Sequence, residues 1–249
     1  MKAFKINNEK GRIEFIDNRF YQTPNGYVPS VTTILEAYPK DAQFYKWLKE
    51  NGQEADNIRD EAGRRGSVVH ELTERYDCNE EVTFISDSGY PKFKMAEWSM
   101  FERYVEFCET HQPQVDLMEL HMSSDELGYA GTLDRVIKLN GKTILLDIKT
   151  SNAIQDSYWL QLSAYVMLLL EYKSKNIKID QVAILWLNAK TRTNGKKGDV
   201  QGKGWQLITK DIDEMHKYWE LFKVTQTLWN ALNEDIKPKE LSYKLSYKK

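Results

Sequence analysis

An acid and a lysine, Asp147 and Lys149, follow the apolar run in GKTILLDIKT. A second acid, Asp134, lies thirteen residues earlier in GTLDRVIKL. Side chains two residues apart on a strand point to the same face, so Asp147 and Lys149 share one face. Carboxylates of this kind bind Mg²⁺ or Mn²⁺, and an adjacent ammonium group can position an attacking water or help to deprotonate it. These residues therefore predict metal-dependent hydrolysis.

The turn between the two acids is predicted to bring them together. Residues 139–142 read Leu-Asn-Gly-Lys, and Asn-Gly is the strongest short signal for a two-residue type I′ hairpin. Such a loop pairs the strands so that Asp134 stands opposite Asp147, with Cβ atoms about 4.5–5.5 Å apart. Opposed like charges destabilise a sheet unless one is protonated or a cation binds between them. We expect a divalent cation there, with the carbonyl of Ile148 as a further oxygen ligand; the alternative is a hairpin whose acids face solvent.

Two further groups can join this site. Glu119, on the preceding predicted strand QVDLMELHM, can bind metal directly or through water, although a lone strand glutamate is often a surface residue. His70 shares one helical face with Gly63, Gly66 and Ser67, at spacings of three, four and seven residues. A face of small residues suits close approach to a backbone or substrate. His70 is therefore predicted to be a metal ligand or a phosphate contact, with a purely structural role as the alternative.

The helix after the DIKT strand adds Gln161 and Tyr165, which lie four residues apart and so share a face. They can fix the lysine, order water or contact a substrate strand, and Tyr165 can alternatively pack at the edge of the core. Arg64 and Arg65, just before His70, are candidate phosphate contacts. All four are predicted to lie near the acids.

The order of the predicted elements indicates an α/β (α+β) fold with a mixed sheet and flanking helices. We expect one domain over residues 1–249. It would comprise a mainly helical part after a short extended start (1–112), the sheet core (113–210), and a final helix with a basic tail (211–249). Ser30 and Asp41 are predicted N-caps of the first two helices.

Composition excludes several classes of protein. The 249 residues carry a formal net charge of -2, which neither requires nor excludes a polyanionic partner. Two cysteines argue against a disulfide scaffold or a cysteine-ligated cluster. The start shows no signal or transit pattern, and no apolar run approaches about eighteen residues. We therefore expect a cytoplasmic protein, in the host cytoplasm if phage-encoded, with no membrane partner.

The segment GYAGTLDRVIKLNGKTILLDIKTSNAIQDSYWLQLSAY resembles the core of the PD-(D/E)XK nuclease superfamily. It is most similar to the RecB-type branch, which includes CRISPR-associated adaptation nucleases and mitochondrial genome-maintenance exonucleases. Four ordered motifs carry the resemblance: a G-x-x-x-H helix, a G-x-x-D strand, D/E-x-K and Q-x-x-x-Y. They match residues 66–70, 131–134, 147–149 and 161–165.

The resemblance implies a restriction-endonuclease-like sheet core and a metal-dependent DNA nuclease. His70, Asp134 and Asp147 would be the metal ligands, and Lys149 the catalytic lysine. The proline that often precedes the acid in this branch is absent, and so are the four cysteines that hold an iron–sulfur cluster in some relatives. Mg²⁺ or Mn²⁺, as one or two ions, is therefore the expected cofactor, without an iron–sulfur cluster.

We expect an exonuclease that acts on single-stranded DNA or DNA ends in recombination, repair or replication, with partner proteins of those processes. One alternative is a structure-specific or restriction-like endonuclease, which would cut a covalently closed circle. The other is a catalytically idle nucleic-acid-binding module. Against that reading, His70, Asp134, Asp147 and Lys149 are all present.

Overall fold

The computed structural model describes residues 4–7, 12–15, 18–172, 177–189 and 204–234, together with residues 236 and 238. The described chain begins with an antiparallel sheet whose strands follow one another in order. These strands are β1 (Phe4–Asn7), β2 (Arg12–Phe15), β3 (Asn18–Thr23) and β4 (Gly26–Pro29). The sequence had indicated only a short extended start here, because strands of four to six residues are too short to show clear alternation.

Four helices follow the first sheet, and two of them carry the predicted caps. The side chain of Ser30 accepts a hydrogen bond from the amide of Thr33, and Asp41 accepts one from Phe44. Both caps satisfy amides that have no partner inside the helix. The helices are α1 (Val31–Ile34), α2 (Ala42–Asn51), α3 (Glu54–Asp77) and α4 (Met95–His111).

A second, five-stranded sheet has the order β5-β6-β7-β8-β9. Its strands are β5 (Gln114–Ser124), β6 (Tyr129–Leu139), β7 (Lys142–Lys149), β8 (Gln181–Trp186) and β9 (Gln206–Asp211). Only β7 and β8 are parallel, and the helix α5 (Asp156–Glu171) connects them. The last helix is α6 (Met215–Leu232). This mixed sheet with flanking helices confirms the predicted fold class.

The hairpin between β6 and β7 forms as predicted. Asn140 and Gly141 have φ values of 51° and 76°, the left-handed backbone that a type I′ turn requires. The ladder starts at Leu139–Lys142 and is regular as far as Arg135–Leu146. It ends one pair before Asp134 and Asp147, so both acids lie where the strands separate.

Alternating side chains of β7 pack on two sides of the second sheet. Leu145 belongs to the cluster formed with Leu160 and other residues of α5 and α6. Ile144 and Leu146 belong to a second cluster with Val69 of α3 and residues of α4. β7 is the central strand of this sheet, and both of its faces are covered. Its polar residues must therefore find partners inside the protein.

The predicted polar loop at 189–204 and the basic tail fall mostly outside the described residues. Within the described ranges, no helix is long and apolar enough to cross a membrane.

Candidate active site

Asp134 links β6 to β7 at the point where the ladder ends. Its Oδ2 accepts a hydrogen bond of 2.8 Å from the backbone amide of Ile148. The carboxylate of Asp134 thus satisfies a backbone amide of β7 just beyond the last ladder pair. The two acids are close enough for Asp134 to raise the pKa of Asp147.

Asp147 and Lys149 form a buried pair on β7. The Lys149 Nζ lies 2.7 Å from Oδ2 of Asp147, and the carboxylate side chain is only 3% exposed. The Lys149 ammonium is therefore the charged partner of this buried oxygen. Burial raises the pKa of Asp147 to about 6; Lys149 opposes this shift and Asp134 adds to it. Burial lowers the pKa of Lys149, but the carboxylates of Asp147 and Asp134 raise it by more. The pKa therefore lies above its ordinary value.

A short chain of hydrogen bonds from α5 fixes the lysine. Lys149 Nζ donates to Oε1 of Gln161 at 3.0 Å, and Nε2 of Gln161 donates to the hydroxyl of Tyr165 at 2.9 Å. The Tyr158 ring lies 4.6 Å from the same ammonium, in cation–π contact. Of the three roles predicted for Gln161 and Tyr165, this geometry favours fixing the lysine. Tyr165 is 4% exposed, so its side chain has almost no surface for the predicted DNA contact.

Three other side chains meet beside this pair. One ligand atom from each of His70, Glu119 and Asp134 lies within 4.8 Å of the other two. The Nδ1 of His70 is 3.6 Å from Oδ1 of Asp134, and its Nε2 is 3.0 Å from the carbonyl of Ile148. Because a carbonyl only accepts, Nε2 carries the proton in this arrangement, which leaves the lone pair of Nδ1, on the side of Asp134, for a cation.

These donors fit a divalent cation. Imidazole nitrogen, carboxylate oxygen and carbonyl oxygen are all ligands of Mn²⁺, and Mg²⁺ prefers the oxygens. The carboxylate of Asp147 is buried beside these donors, with the Lys149 ammonium as its charged partner. Glu119, for which the sequence left direct binding, binding through water and a surface role open, lies within this cluster.

The backbone of Glu119 is unusual for a strand. Its φ is 46°, a left-handed value that costs a non-glycine residue free energy, so surrounding contacts must hold it. Glu119 lies opposite Asp134, between the ladder pairs Leu120–Leu133 and Met118–Arg135. Burial and Asp134 raise the pKa of Glu119, while His70 and Arg135 oppose the rise.

The two predicted phosphate contacts on α3 differ in their surroundings. Arg64 donates to Glu61 and Glu97, so its charge is already paired within the protein. Nε of Arg65 is buried without a hydrogen-bond partner. On the small-residue face, a Cβ at Gly66 would meet Thr150 at 3.4 Å, whereas Gly63 has nothing within 4 Å. The face at Gly63 is therefore open.

Sequence reasoning missed three residues near the site. Arg135 is completely buried, although it directly follows Asp134 in a strand. It contacts Asp77 of α3, which in turn binds the hydroxyl of Tyr104 of α4. An arginine followed by the apolar residues Val136 and Ile137 on a core strand was the available signal, but its partners come from distant parts of the chain.

Comparisons with known proteins add the following findings. A sequence model of the PD-(D/E)XK nuclease superfamily matches residues 42–241, a range that contains every site residue described above. No curated protein sequence matches the chain. Among solved structures, one match is a crystal structure of a protein from Eubacterium rectale, provisionally named an exonuclease. It is 13% identical, with 84% of this chain and 83% of that chain covered and a TM-score of 0.46.

Proposed function

Because the chain belongs to the PD-(D/E)XK nuclease superfamily, whose members are phosphodiester hydrolases that use divalent metals, we propose that it is a Mg²⁺- or Mn²⁺-dependent deoxyribonuclease. The proposed reaction is hydrolysis of DNA from a free end, carried out by a single nuclease domain over residues 1–249. One observation carries the proposal: the buried Asp147–Lys149 pair lies beside the cluster of His70, Glu119 and Asp134.

Five groups would hold the cation: the side chains of His70, Glu119, Asp134 and Asp147, and the carbonyl of Ile148. A bound Mg²⁺ or Mn²⁺ supplies Lewis-acid charge at the scissile phosphate and favours ionisation of water. This assignment is supported by the approach of one ligand atom from each of His70, Glu119 and Asp134 to within 4.8 Å of the others, and by the burial of the Asp147 carboxylate beside them.

Lys149 acts as a hydrogen-bond donor in this mechanism. In the metal-free protein the carboxylates of Asp147 and Asp134 raise its pKa, which favours the ammonium form of Nζ. Gln161 and Tyr158 hold that ammonium on the side of β7 where Asp147 lies. From this position Nζ orients the attacking water and stabilises negative charge that develops on the phosphate.

The similarity of the four ordered motifs to the RecB-type branch supports exonuclease activity on single strands or DNA ends. The partly exposed Tyr158 ring, beside the lysine, offers a surface on which a nucleobase can stack. The proposed setting is recombination, repair or replication of DNA in the cytoplasm, together with protein partners of those processes.

The experiment compares 5′-labelled and 3′-labelled linear DNA, single-stranded and duplex, with a covalently closed circle. An exonuclease releases nucleotides from one or both ends of the linear substrates and leaves the circle intact. Cleavage of the closed circle at a rate similar to that of linear DNA would replace the proposal with an endonuclease. Matched RNA substrates test the preference for DNA.

A further inference from the structure

A completely buried arginine lies directly behind the candidate metal cluster. Arg135 is 0% exposed and follows Asp134 on β6. It takes no part in the mechanism proposed above. A buried guanidinium loses its hydration and is maintained only where several acceptors surround it. The positions of those acceptors therefore indicate what the arginine holds in place.

Arg135 contacts each of the three elements that supply the cluster. On β5, Nη1 donates to Oε1 of Glu119 at 3.0 Å. On β6, Nη1 also donates to the backbone carbonyl of Asp134 at 2.8 Å. On α3, Nη2 lies 3.4 Å from Oγ1 of Thr73, which itself donates to the carbonyl of His70 at 2.8 Å. One side chain thus links the segments of all three candidate ligands.

On its opposite side the guanidinium is held by Asp77, which is itself hydrogen-bonded to Tyr104. Nε of Arg135 donates to Oδ2 of Asp77 at 2.7 Å, and the hydroxyl of Tyr104 lies 2.8 and 2.7 Å from the two oxygens of the same carboxylate. Tyr104 is 1% exposed, and it belongs to α4. The arginine is therefore fixed to α3 and α4 before any cation binds.

We propose that Arg135 is a positioning residue that holds His70, Glu119 and Asp134 in the arrangement that binds a divalent cation. This inference deepens the proposed function by assigning a residue that determines cation affinity. The fork geometry is the essential feature, since only a guanidinium can reach Asp77 and Glu119 with separate nitrogens. The left-handed backbone of Glu119 adds to the need for such a support.

Arg135→Lys is the direct test, because lysine keeps the positive charge but loses the fork. Mn²⁺ binding to the metal-free protein is measured by calorimetry, without DNA. The expected result is a 10- to 100-fold weaker Mn²⁺ affinity, the usual effect of losing a group that orients a metal ligand. In nuclease assays the Mn²⁺ concentration for half-maximal rate rises by the same factor, while the rate at saturating Mn²⁺ changes much less.

Arg103→Lys is the matched control. Arg103 lies on α4 and donates to the carbonyl of Leu187 at 2.7 Å, and none of its hydrogen bonds in the described part of the chain reaches the cluster. It should lose some thermal stability without any change in Mn²⁺ affinity. If Arg135→Lys behaves in the same way, the arginine serves folding alone and the inference is overturned.

Asp77→Asn provides a second route if Arg135→Lys does not fold. It keeps the shape of the Asp77 side chain and removes its charge, so Mn²⁺ affinity should fall only a few-fold. A folded Asp77→Asn protein with unchanged affinity would contradict the proposal. Wild-type protein that binds Mn²⁺ but cuts no DNA would refute the proposed function and leave this inference standing. Wild-type protein that binds no Mn²⁺ would overturn both.

Discussion

The carboxylate of Asp134 accepts a hydrogen bond of 2.8 Å from the amide of Ile148, the residue between Asp147 and Lys149. This bond occupies Oδ2 and turns Oδ1 towards His70, whose Nδ1 is 3.6 Å away. One oxygen of Asp134 thus maintains the junction between β6 and β7, and the other remains for a cation. Because the two oxygens have different partners, a substitution at Asp134 can change one and keep the other.

Asp134→Asn should keep the fold and lose the metal site. The amide oxygen of asparagine can still accept from Ile148, while its NH₂ group replaces the oxygen that faces His70 and cannot bind a cation. We expect Mn²⁺ affinity to fall by at least about tenfold, with a melting temperature close to that of wild type in chelator. Calorimetry and thermal melting measure the two quantities. Unchanged Mn²⁺ affinity would remove Asp134 from the ligand set.

Gln161→Ala should lower the rate about tenfold, since Gln161 acts by fixing Lys149 rather than by touching the phosphate. The effect is expected to be smaller than that of Asp147→Ala. Tyr165→Phe, which removes only the hydroxyl that accepts from Gln161, should cost a few-fold. Ser157→Ala on the same helix is the control. If Gln161→Ala and Tyr165→Phe both match wild-type kcat, the hydrogen-bond chain is scaffolding.

The effect of Mn²⁺ on stability should depend on pH through Asp147. Its pKa of about 6 lies above its ordinary value, so the folded, metal-free protein binds this proton more tightly than the unfolded chain does. The group favours folding below pH ~4, and this contribution is lost as the pH rises through about 6. A cation requires the ionised form. The Mn²⁺-induced rise in Tm should therefore be larger at pH 7.5 than at pH 5.

Asp147→Asn is the control for this pH dependence. It removes the titrating group, so the difference in Mn²⁺-induced Tm shift between the two pH values should shrink. A wild-type shift as large at pH 5 as at pH 7.5 would show that Asp147 takes no part in cation binding.

Two glycine substitutions should have opposite effects on stability. A Cβ at Gly131 would lie 2.4 Å from Cε1 of Tyr165, so Gly131→Ala must displace a buried ring and should cost about 1–3 kcal/mol. Gly63 lies inside α3 with nothing within 4 Å, so Gly63→Ala should stabilise by up to ~1 kcal/mol. Urea denaturation measures both.

If the open face at Gly63 approaches DNA, the stabilised variant will bind DNA more weakly. Equal DNA affinity would show that the face is not used.

The hairpin and its two acids were predictable because the information is local. Asn140 and Gly141 determine the turn, and strand alternation then determines which residues face each other. The fold class followed from the order of the elements, and Ser30 and Asp41 were recognisable as caps. Each of these inferences needs only residues close in sequence.

The features that could not be predicted depend on contacts between residues that are far apart in the sequence. The strands of the first sheet are short and have no clear pattern, so they were expected only as an extended start. The partners of Arg135 come from α3, α4 and β5, and no spacing rule connects them. The left-handed backbone of Glu119 has no signature in the residue type. The sequence left three alternative roles for Gln161, and its 3.0 Å hydrogen bond with Lys149 depends on how α5 packs on the sheet.

Cation-dependent cleavage by matched variants tests the central claim most directly. End-labelled linear DNA is incubated with wild type, Asp147→Ala, Lys149→Ala and the exposed-site control Lys138→Ala, each with Mg²⁺, Mn²⁺ or excess EDTA. We predict degradation by wild type and Lys138→Ala only when a divalent cation is present. In the other two variants, the rate should fall by about 10²–10⁴-fold while the fold is retained. Full activity of wild type in EDTA, or of both site variants with Mn²⁺, would contradict the account.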